Sequence, residues 1–141
     1  MLSQLLLGSL LISATIIVEV CFIGMAAAML TRIGSWLATG RKLLKLMLSL
    51  VAVVLWMLAA ISIGVWIWAA AFLVLEQFQE LETALYFAVV SMTTLGYGDI
   101  VIGKEWRLLS GLIAANGLIL FSLATAFFIE FITRLRKAQS G

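Results

Sequence analysis

Three long apolar segments alternate with short charged stretches along the chain. The first runs from about Leu5 to Leu30, the second from about Leu43 to Leu75, and the third from Trp106 to about Phe131. At about 1.5 Å of rise per residue, each segment is long enough as an α-helix to cross the roughly 30 Å hydrocarbon core of a bilayer. The pattern therefore predicts three transmembrane helices.

A fourth apolar stretch, residues 83–93, is too short to span a bilayer as a helix. It follows an acidic turn that contains Glu80 and Glu82. Negative charges are favourable near the amino-terminal end of a helix, which carries a partial positive charge. We interpret residues 83–93 as a re-entrant helix that enters the membrane without crossing it.

The segment after this short helix, Thr93 to Asp99, contains Gly96 and Gly98 in alternation with larger residues. Irregular backbone at membrane depth must be buried in protein or line a wet cavity, because bare carbonyl groups cannot face hydrocarbon. Glycine adopts φ values that are closed to other residues, so the carbonyl groups of residues 94–97 can turn to one side. A row of carbonyl oxygens can replace the water around a dehydrated cation.

The sequence T-L-G-Y-G-D at residues 94–99 resembles the selectivity filter of potassium channels, which is usually T-V-G-Y-G-D. The resemblance extends from Leu81 to Phe131 and includes a pore helix before the filter and an inner helix after it. Leu95 stands where valine is commonest. Its carbonyl group would still face the pore, and its side chain would pack outward.

The resemblance implies that potassium ions bind to backbone oxygens of Thr94, Leu95, Gly96 and Tyr97. The hydroxyl group of Thr94 would add a ligand at the inner end of the row. The ring of Tyr97 would brace the filter from behind by packing and hydrogen bonding. Potassium is therefore expected as the transported ion, and no cofactor is expected.

The resemblance also implies roles for residues around the filter. Gly98 would allow the backbone conformation that the filter needs. Asp99 would place a negative charge at the outer mouth of the pore, and Thr93 would support the filter. In some potassium channels a carboxylate on the pore helix, eight residues before the last filter glycine, pairs with this Asp. That position is Val90 here, so we expect Asp99 to pair with Tyr86 on the pore helix instead.

Because each chain carries one filter, the resemblance implies that four copies form one pore. The expected fold is an all-α membrane protein with three transmembrane helices, a re-entrant pore helix and a filter loop, assembled as a homotetramer. Residues 1–42 would form an amino-terminal helix with a basic cytoplasmic loop, and residues 43–141 the pore domain. Within the pore domain we predict an outer helix at 43–75, a pore helix at 83–93, the filter at 94–99 and an inner helix at 106–133.

We extend the pore-facing positions of two-helix channels along the inner helix. These positions fall on residues that are three or four apart and share one helix face. These residues are Ile119, Ser122, Ala126 and Glu130. The small residues among them suit a wide cavity below the filter. Glu130 would either form an acidic ring at the cytoplasmic mouth, attracting cations and binding internal magnesium or polyamines, or pair with Arg134 four residues on.

Three further polar or small residues lie inside apolar segments. Glu19, near the middle of the first segment, is either a functional carboxyl group or a neutral or hydrogen-bonded one at a helix contact, with Thr15 one turn away. Asn116 is expected to form a hydrogen bond across helices. Gly117 is either a gating hinge or a site of close helix packing.

Composition and charge place the chain in a membrane and orient it. The 141 residues are 65% hydrophobic and 11% charged, so no ordinary soluble domain fits beside the apolar segments. Most basic residues flank one side of the predicted helices: Arg32, Arg41, Lys42, Lys45, Arg134, Arg136 and Lys137. The positive-inside rule puts these residues in the cytoplasm. The chain is therefore expected to cross a cell membrane with its amino terminus outside the cell and its carboxyl terminus in the cytoplasm.

The same residues argue against other classes of protein. The basic residues cluster at membrane edges, so the net charge of +2 indicates a membrane partner and no nucleic acid. The chain has no His and a single Cys, and it contains no visible nucleophile–base set, so no enzyme activity or transition-metal site is predicted. No segment repeats Arg or Lys at every third residue, so a voltage sensor is not supported.

Two functions from different classes fit the sequence. The first is a potassium-selective channel, with a poorly selective cation channel as a weaker variant. The second is a non-conducting membrane subunit that uses a pore-like fold to assemble with a partner. Flux of potassium through the purified protein distinguishes the two.

Overall fold

The computed structural model describes residues 1–37 and 42–140, and this part of the chain folds into four α-helices. They are α1 (Leu2–Leu37), α2 (Lys42–Val74), α3 (Leu81–Met92) and α4 (Leu108–Ser140). Three of these helices, α1, α2 and α4, are long and apolar enough to cross a membrane. The prediction of an all-α membrane protein with three spanning helices and one short apolar helix is confirmed.

Residues 31–45 contain Gly34, Gly40 and four basic residues, and this composition predicts a short loop or interfacial turn, but the described residues of this stretch are helical. Helix α1 continues to Leu37, and α2 begins at Lys42. No proline interrupts residues 31–37, and their one glycine, Gly34, costs a helix only about 1 kcal/mol relative to alanine. The sequence also predicts that Trp36 lies at headgroup depth, but its side chain is outside the described part of the chain.

Helix α3 begins one residue after Glu80, whose φ of −109° and ψ of 136° are those of extended backbone. It ends at Met92, so the predicted pore helix at 83–93 has nearly the observed bounds. The last helix starts two residues later than predicted, because the amide groups of Trp106 and Leu109 close turns onto the carbonyl groups of Gly103 and Trp106.

Polar side chains of α1 bind α4 at two levels. The amide group of Leu108, the first residue of α4, donates to Gln4 Oε1 at 3.1 Å, and Gln4 Nε2 donates to the carbonyl of Glu105. Further along both helices, Asn116 Nδ2 donates to Thr15 Oγ1 at 2.8 Å. The bonded residues are 104 and 101 positions apart in the same order, so α1 and α4 run parallel. The predicted cross-helix bond of Asn116 is confirmed.

Apolar side chains form two clusters along the helix bundle. The first cluster joins α2, α3 and α4 around the fully buried residues Trp68, Phe72, Met92, Leu109 and Ile113. The second joins the other end of the bundle through Leu30, Val53, Met57, Phe131 and Leu135. Three tryptophans toward the second half of α2, Trp56, Trp66 and Trp68, suit an aromatic belt at a membrane interface by sequence alone. Trp68 instead lies in the first cluster, where its ring centroid is 5.9 Å from that of Phe72.

Helix α4 approaches the end of α3 most closely at Gly117. A methyl group built on Gly117 would overlap the carbonyl group of Met92 and lie 3.0 Å from its Cγ. Only glycine allows the two backbones to come this near. Gly117 is therefore a packing site that fixes the end of α3, and its role as a hinge stays a prediction.

Candidate pore segment

The loop after α3 folds back onto the last turn of that helix. The amide groups of Leu95 and Gly96 both donate to the carbonyl of Val90, at 3.0 and 3.2 Å. The hydroxyl group of Thr93 donates to the carbonyl of Val89 at 2.8 Å. These bonds use carbonyl groups that a helix end would leave free, and they hold the beginning of the loop in place.

The backbone of residues 94–98 alternates between left-handed and ordinary φ values. Thr94, Gly96 and Gly98 have φ of 60°, 55° and 77°, whereas neither Leu95 nor Tyr97 has a positive φ. This alternation differs from a β-strand, in which successive carbonyl groups point to opposite sides. A β-branched residue such as Thr94 rarely adopts positive φ, and such strain is concentrated at functional sites.

In the single chain the pore segment, which comprises residues 94–99, is exposed. Leu95 is 56% exposed and Tyr97 is 68% exposed, so neither residue is packed behind the segment by its own chain. The bracing role expected of Tyr97 therefore requires contacts from another molecule. The same requirement holds for Leu95, whose side chain was expected to pack outward.

Tyr86 and Asp99 connect α3 to the end of the pore segment. The Tyr86 hydroxyl donates to Asp99 Oδ2 at 2.7 Å, which is the contact expected from the sequence. This hydrogen bond is the main cause that raises the pKa of the Tyr86 hydroxyl above its usual range. Tyr86 therefore stays protonated at neutral pH and remains a donor to the carboxylate.

A groove of about 550 Å³ lies beside the pore segment. Its walls come from α3, the pore segment and the beginning of α4, and they include Tyr86, Ser91, Thr94, Asp99, Ile100 and Ser110. Residues of the loop after α3, among them Thr94 and Asp99, thus form one wall of an open space in the isolated chain.

The predicted pore-lining residues of α4 all lie on its exposed face: Ile119, Ser122, Ala126 and Glu130. The opposite face, with Ile113, Asn116 and Leu120, is buried against the rest of the bundle. Glu130 also forms an ion pair with Arg134, with Oε1 2.7 Å from Nε, and both side chains are more than half exposed. The intrahelical pair is therefore present, and the acidic ring stays a prediction.

Sequence reasoning missed the contact surface between α1 and α4. Gln4 was not singled out, although it begins a series of polar and small residues on one helix face: Gln4, Gly8, Thr15 and Glu19. A methyl group on Gly8 would overlap the side chain of Leu112. The spacing of this series was the available signal, but the residues around it are apolar on every face of α1.

Comparison with protein families identifies the class. The family model described as an ion channel matches residues 60–134, which is more than half of the 141-residue chain. The chain belongs to this ion channel family. It is a multi-pass membrane protein of a transporting class and not of an enzyme class, and its family indicates oligomeric assembly and ion permeation.

The match begins in α2, includes α3 and the pore segment, and ends in α4. Helix α1 lies outside it. Neither the curated proteins nor the solved structures gave a significant match to the chain.

Proposed function

We propose that the protein is a potassium-selective channel in which four copies of the chain surround one pore. Potassium ions pass in single file along the carbonyl oxygens of Thr94, Leu95, Gly96 and Tyr97. The observation that carries this proposal is the alternation of positive φ at residues 94, 96 and 98, inside the segment that matches the ion channel family. Carbonyl rings of this kind replace the water around potassium.

The exposure of the pore segment supports assembly into an oligomer. One chain contributes one row of carbonyl groups, and a cation needs oxygens on all sides. Leu95 and Tyr97 are exposed in the single chain, and the groove beside the filter is open. Neighbouring copies would cover these side chains and close the ring, so the oligomer completes the site.

The residues around the filter have supporting roles. Thr94 adds its hydroxyl oxygen as a ligand at the inner end of the row. Gly98 supplies the last left-handed residue, and Asp99 holds a negative charge at the outer mouth, fixed by the bond from Tyr86. Thr93 anchors the loop on α3. The protein uses no cofactor, and potassium is its cargo.

The exposed face of α4 lines the cavity below the filter. Ile119, Ser122 and Ala126 belong to this face, and Glu130 lies one turn beyond them. Four copies of Glu130 near the axis would attract cations and bind internal magnesium or polyamines. The ion pair with Arg134 is compatible with this position because both side chains are largely exposed.

The charge distribution supports an orientation in a cell membrane. The carboxyl-terminal end of α4 carries Arg134, Arg136 and Lys137, which belong in the cytoplasm by the positive-inside rule. Because α1 runs parallel to α4, its amino terminus lies outside with the filter.

Flux through the purified protein tests the proposal. The protein is reconstituted in liposomes of neutral and anionic phospholipid, and potassium uptake is compared with sodium uptake under equal gradients. We expect potassium flux that greatly exceeds sodium flux. Equal flux of both ions identifies a poorly selective cation channel. Absence of flux from protein that is tetrameric by cross-linking identifies a non-conducting subunit.

A further inference from the structure

Glu19 belongs to the face of α1 that packs against the other helices. Its side chain is 0% exposed, and it continues a buried row that includes Leu11, Thr15, Ala26 and Leu30. Leu11 packs in the first apolar cluster and Leu30 in the second. Glu19 therefore lies between two apolar clusters, near the middle of the span Leu2–Leu30.

Neither carboxyl oxygen of Glu19 has a hydrogen-bond partner in the described part of the chain. The other polar side chains on this face of α1, Gln4 and Thr15, are bonded to α4. Thr15 is one turn away, but its bonds go to Asn116 and to the carbonyl of Ile12. The hydrogen-bonded arrangement considered for Glu19 from the sequence is therefore not present.

The parallel register of α1 and α4 shows what faces Glu19. The offsets of 101 and 104 between bonded residues place Glu19 level with residues 120–123 of α4. Leu120 is buried there, and the hydroxyl of Ser122 donates within α4, to the carbonyl of Leu118. At this level α4 thus presents apolar side chains to α1.

In the described part of the chain, no charged group lies near enough in sequence or register to balance an ionised Glu19. Residues 46–74 of α2 and 108–129 of α4 contain no Asp, Glu, Lys, Arg, His, Cys or Tyr. On α3, residues 83–92 contain one titratable side chain, Tyr86, whose hydroxyl group is bonded to Asp99. Cys21, on α1 itself, is exposed on another face.

We propose that Glu19 is a proton-binding site that links protonation to the packing of α1 against α4. With its proton, the neutral carboxyl group fits between the apolar clusters. Without it, a carboxylate would be buried with no partner, which is far more unfavourable than burial of a neutral polar group. Loss of the proton therefore favours an arrangement in which α1 moves until the carboxylate reaches water.

Such a movement acts on the pore-forming helix. Thr15 and Gln4 lie on the same face of α1 and bond to α4, so α1 cannot turn at Glu19 without straining those contacts. At the level of Glu19, the exposed side of α4 carries Ser122. The effect on conduction rests on the proposed function, which places Ser122 in the cavity. The proton-binding site at Glu19 does not depend on the proposed function.

Labelling with dicyclohexylcarbodiimide tests the proton site without any flux measurement. This apolar reagent modifies protonated carboxyl groups in apolar surroundings. Wild-type protein in liposomes is treated over a pH series, and adducts are located by mass spectrometry. We expect an adduct at Glu19 whose yield falls as the pH rises, and little adduct at the exposed Glu105. No adduct at Glu19, or a yield that does not change with pH, overturns the proposal.

The variant Glu19→Gln tests the link to α4, because glutamine keeps the size and polarity of the neutral acid but cannot ionise. We expect its potassium flux at every pH to equal the wild-type flux at the acid end of the series. The control Glu105→Gln should keep the wild-type pH profile. A wild-type profile in Glu19→Gln, or a wild-type flux that does not vary with pH, overturns the link. If neither wild type nor Glu19→Gln conducts potassium, the proposed function is contradicted. The labelling experiment then still shows whether Glu19 binds a proton.

Discussion

Gly117 of α4 packs against the carbonyl group of Met92, the last residue of α3, so closely that a methyl group at Gly117 would overlap it. The loop with positive φ at Thr94, Gly96 and Gly98 begins directly after this contact. The position of the pore segment relative to α4 is therefore set by a glycine in the middle of an apolar helix.

The variant Gly117→Ala should weaken this contact and lower both stability and flux. Because the overlap is with backbone, α4 must move away from α3, and overpacking of this kind costs about 1–3 kcal/mol. Thermal unfolding in detergent and potassium uptake measure the two effects. The matched control is Gly111→Ala, since no atom lies within 4 Å of a methyl group there. Equal behaviour of the two variants would show that the contact with Met92 is unimportant.

The variant Gly96→Ala should abolish potassium selectivity. Nothing lies within 4 Å of an added methyl group, so the effect is purely conformational: φ is 55°, where alanine costs about 1–2 kcal/mol per chain. In a tetramer the cost is incurred by all four chains. Gly24→Ala, in helix α1 and also without neighbours within 4 Å, is the control. Normal potassium preference in Gly96→Ala would contradict the assignment of the filter.

The variant Tyr86→Phe removes the donor to Asp99 and leaves the ring. We expect the outer end of the filter to lose its anchor, so that currents in planar bilayers decay faster during sustained activity. Glu82→Gln, on the same helix and exposed, should leave the decay unchanged. Identical currents in wild type and Tyr86→Phe would mean that the bond of 2.7 Å does not support the filter.

The proposed orientation predicts which end of the chain an impermeant thiol reagent reaches. In a Cys21→Ser background, a cysteine at Ser3 should be labelled from outside intact cells, and a cysteine at Ser140 only after permeabilisation. The background substitution is needed because Cys21 is exposed on the surface of α1. Labelling in the opposite order would refute the orientation.

The variant Glu130→Gln should lower potassium conductance and weaken block by internal magnesium if Glu130 faces the pore. Arg134→Gln is the matched control, because it breaks the same ion pair and keeps the carboxylate. A pair at spacing i,i+4 contributes only about 0.2–0.5 kcal/mol, so neither variant should unfold the helix. If both variants conduct like wild type, the pore-facing register of α4 is wrong.

The elements of the fold followed from the sequence, because bilayer thickness constrains helix length strongly. Helix α2 was expected at 43–75 and lies at Lys42–Val74. The end of α1 was misjudged because Gly34 and the nearby basic residues indicated a loop, whereas none of residues 31–37 prevents helix formation. Helix boundaries depend on such local signals, which are weak beside the apolar pattern.

The site was predictable in part for a similar reason. The Tyr86–Asp99 contact could be anticipated because both residues have fixed positions relative to the T-L-G-Y-G-D motif. The contact of Gln4 with the beginning of α4 could not, since the sequence of an apolar helix does not show which face meets a neighbour. The sequence likewise could not show that Glu19 has no hydrogen-bond partner, because Thr15 could have bonded to it. In the structure Thr15 is bonded to Asn116 instead.

The pairing of α1 with α4 has a consequence for biosynthesis. The ribosome makes α1 first and α4 last, and the two are joined by contacts about 100 residues apart in sequence. Until α4 leaves the translocon, Thr15 lacks Asn116, the side chain to which it is hydrogen-bonded across helices. A chain truncated before α4 therefore carries a polar side chain in α1 without its cross-helix partner.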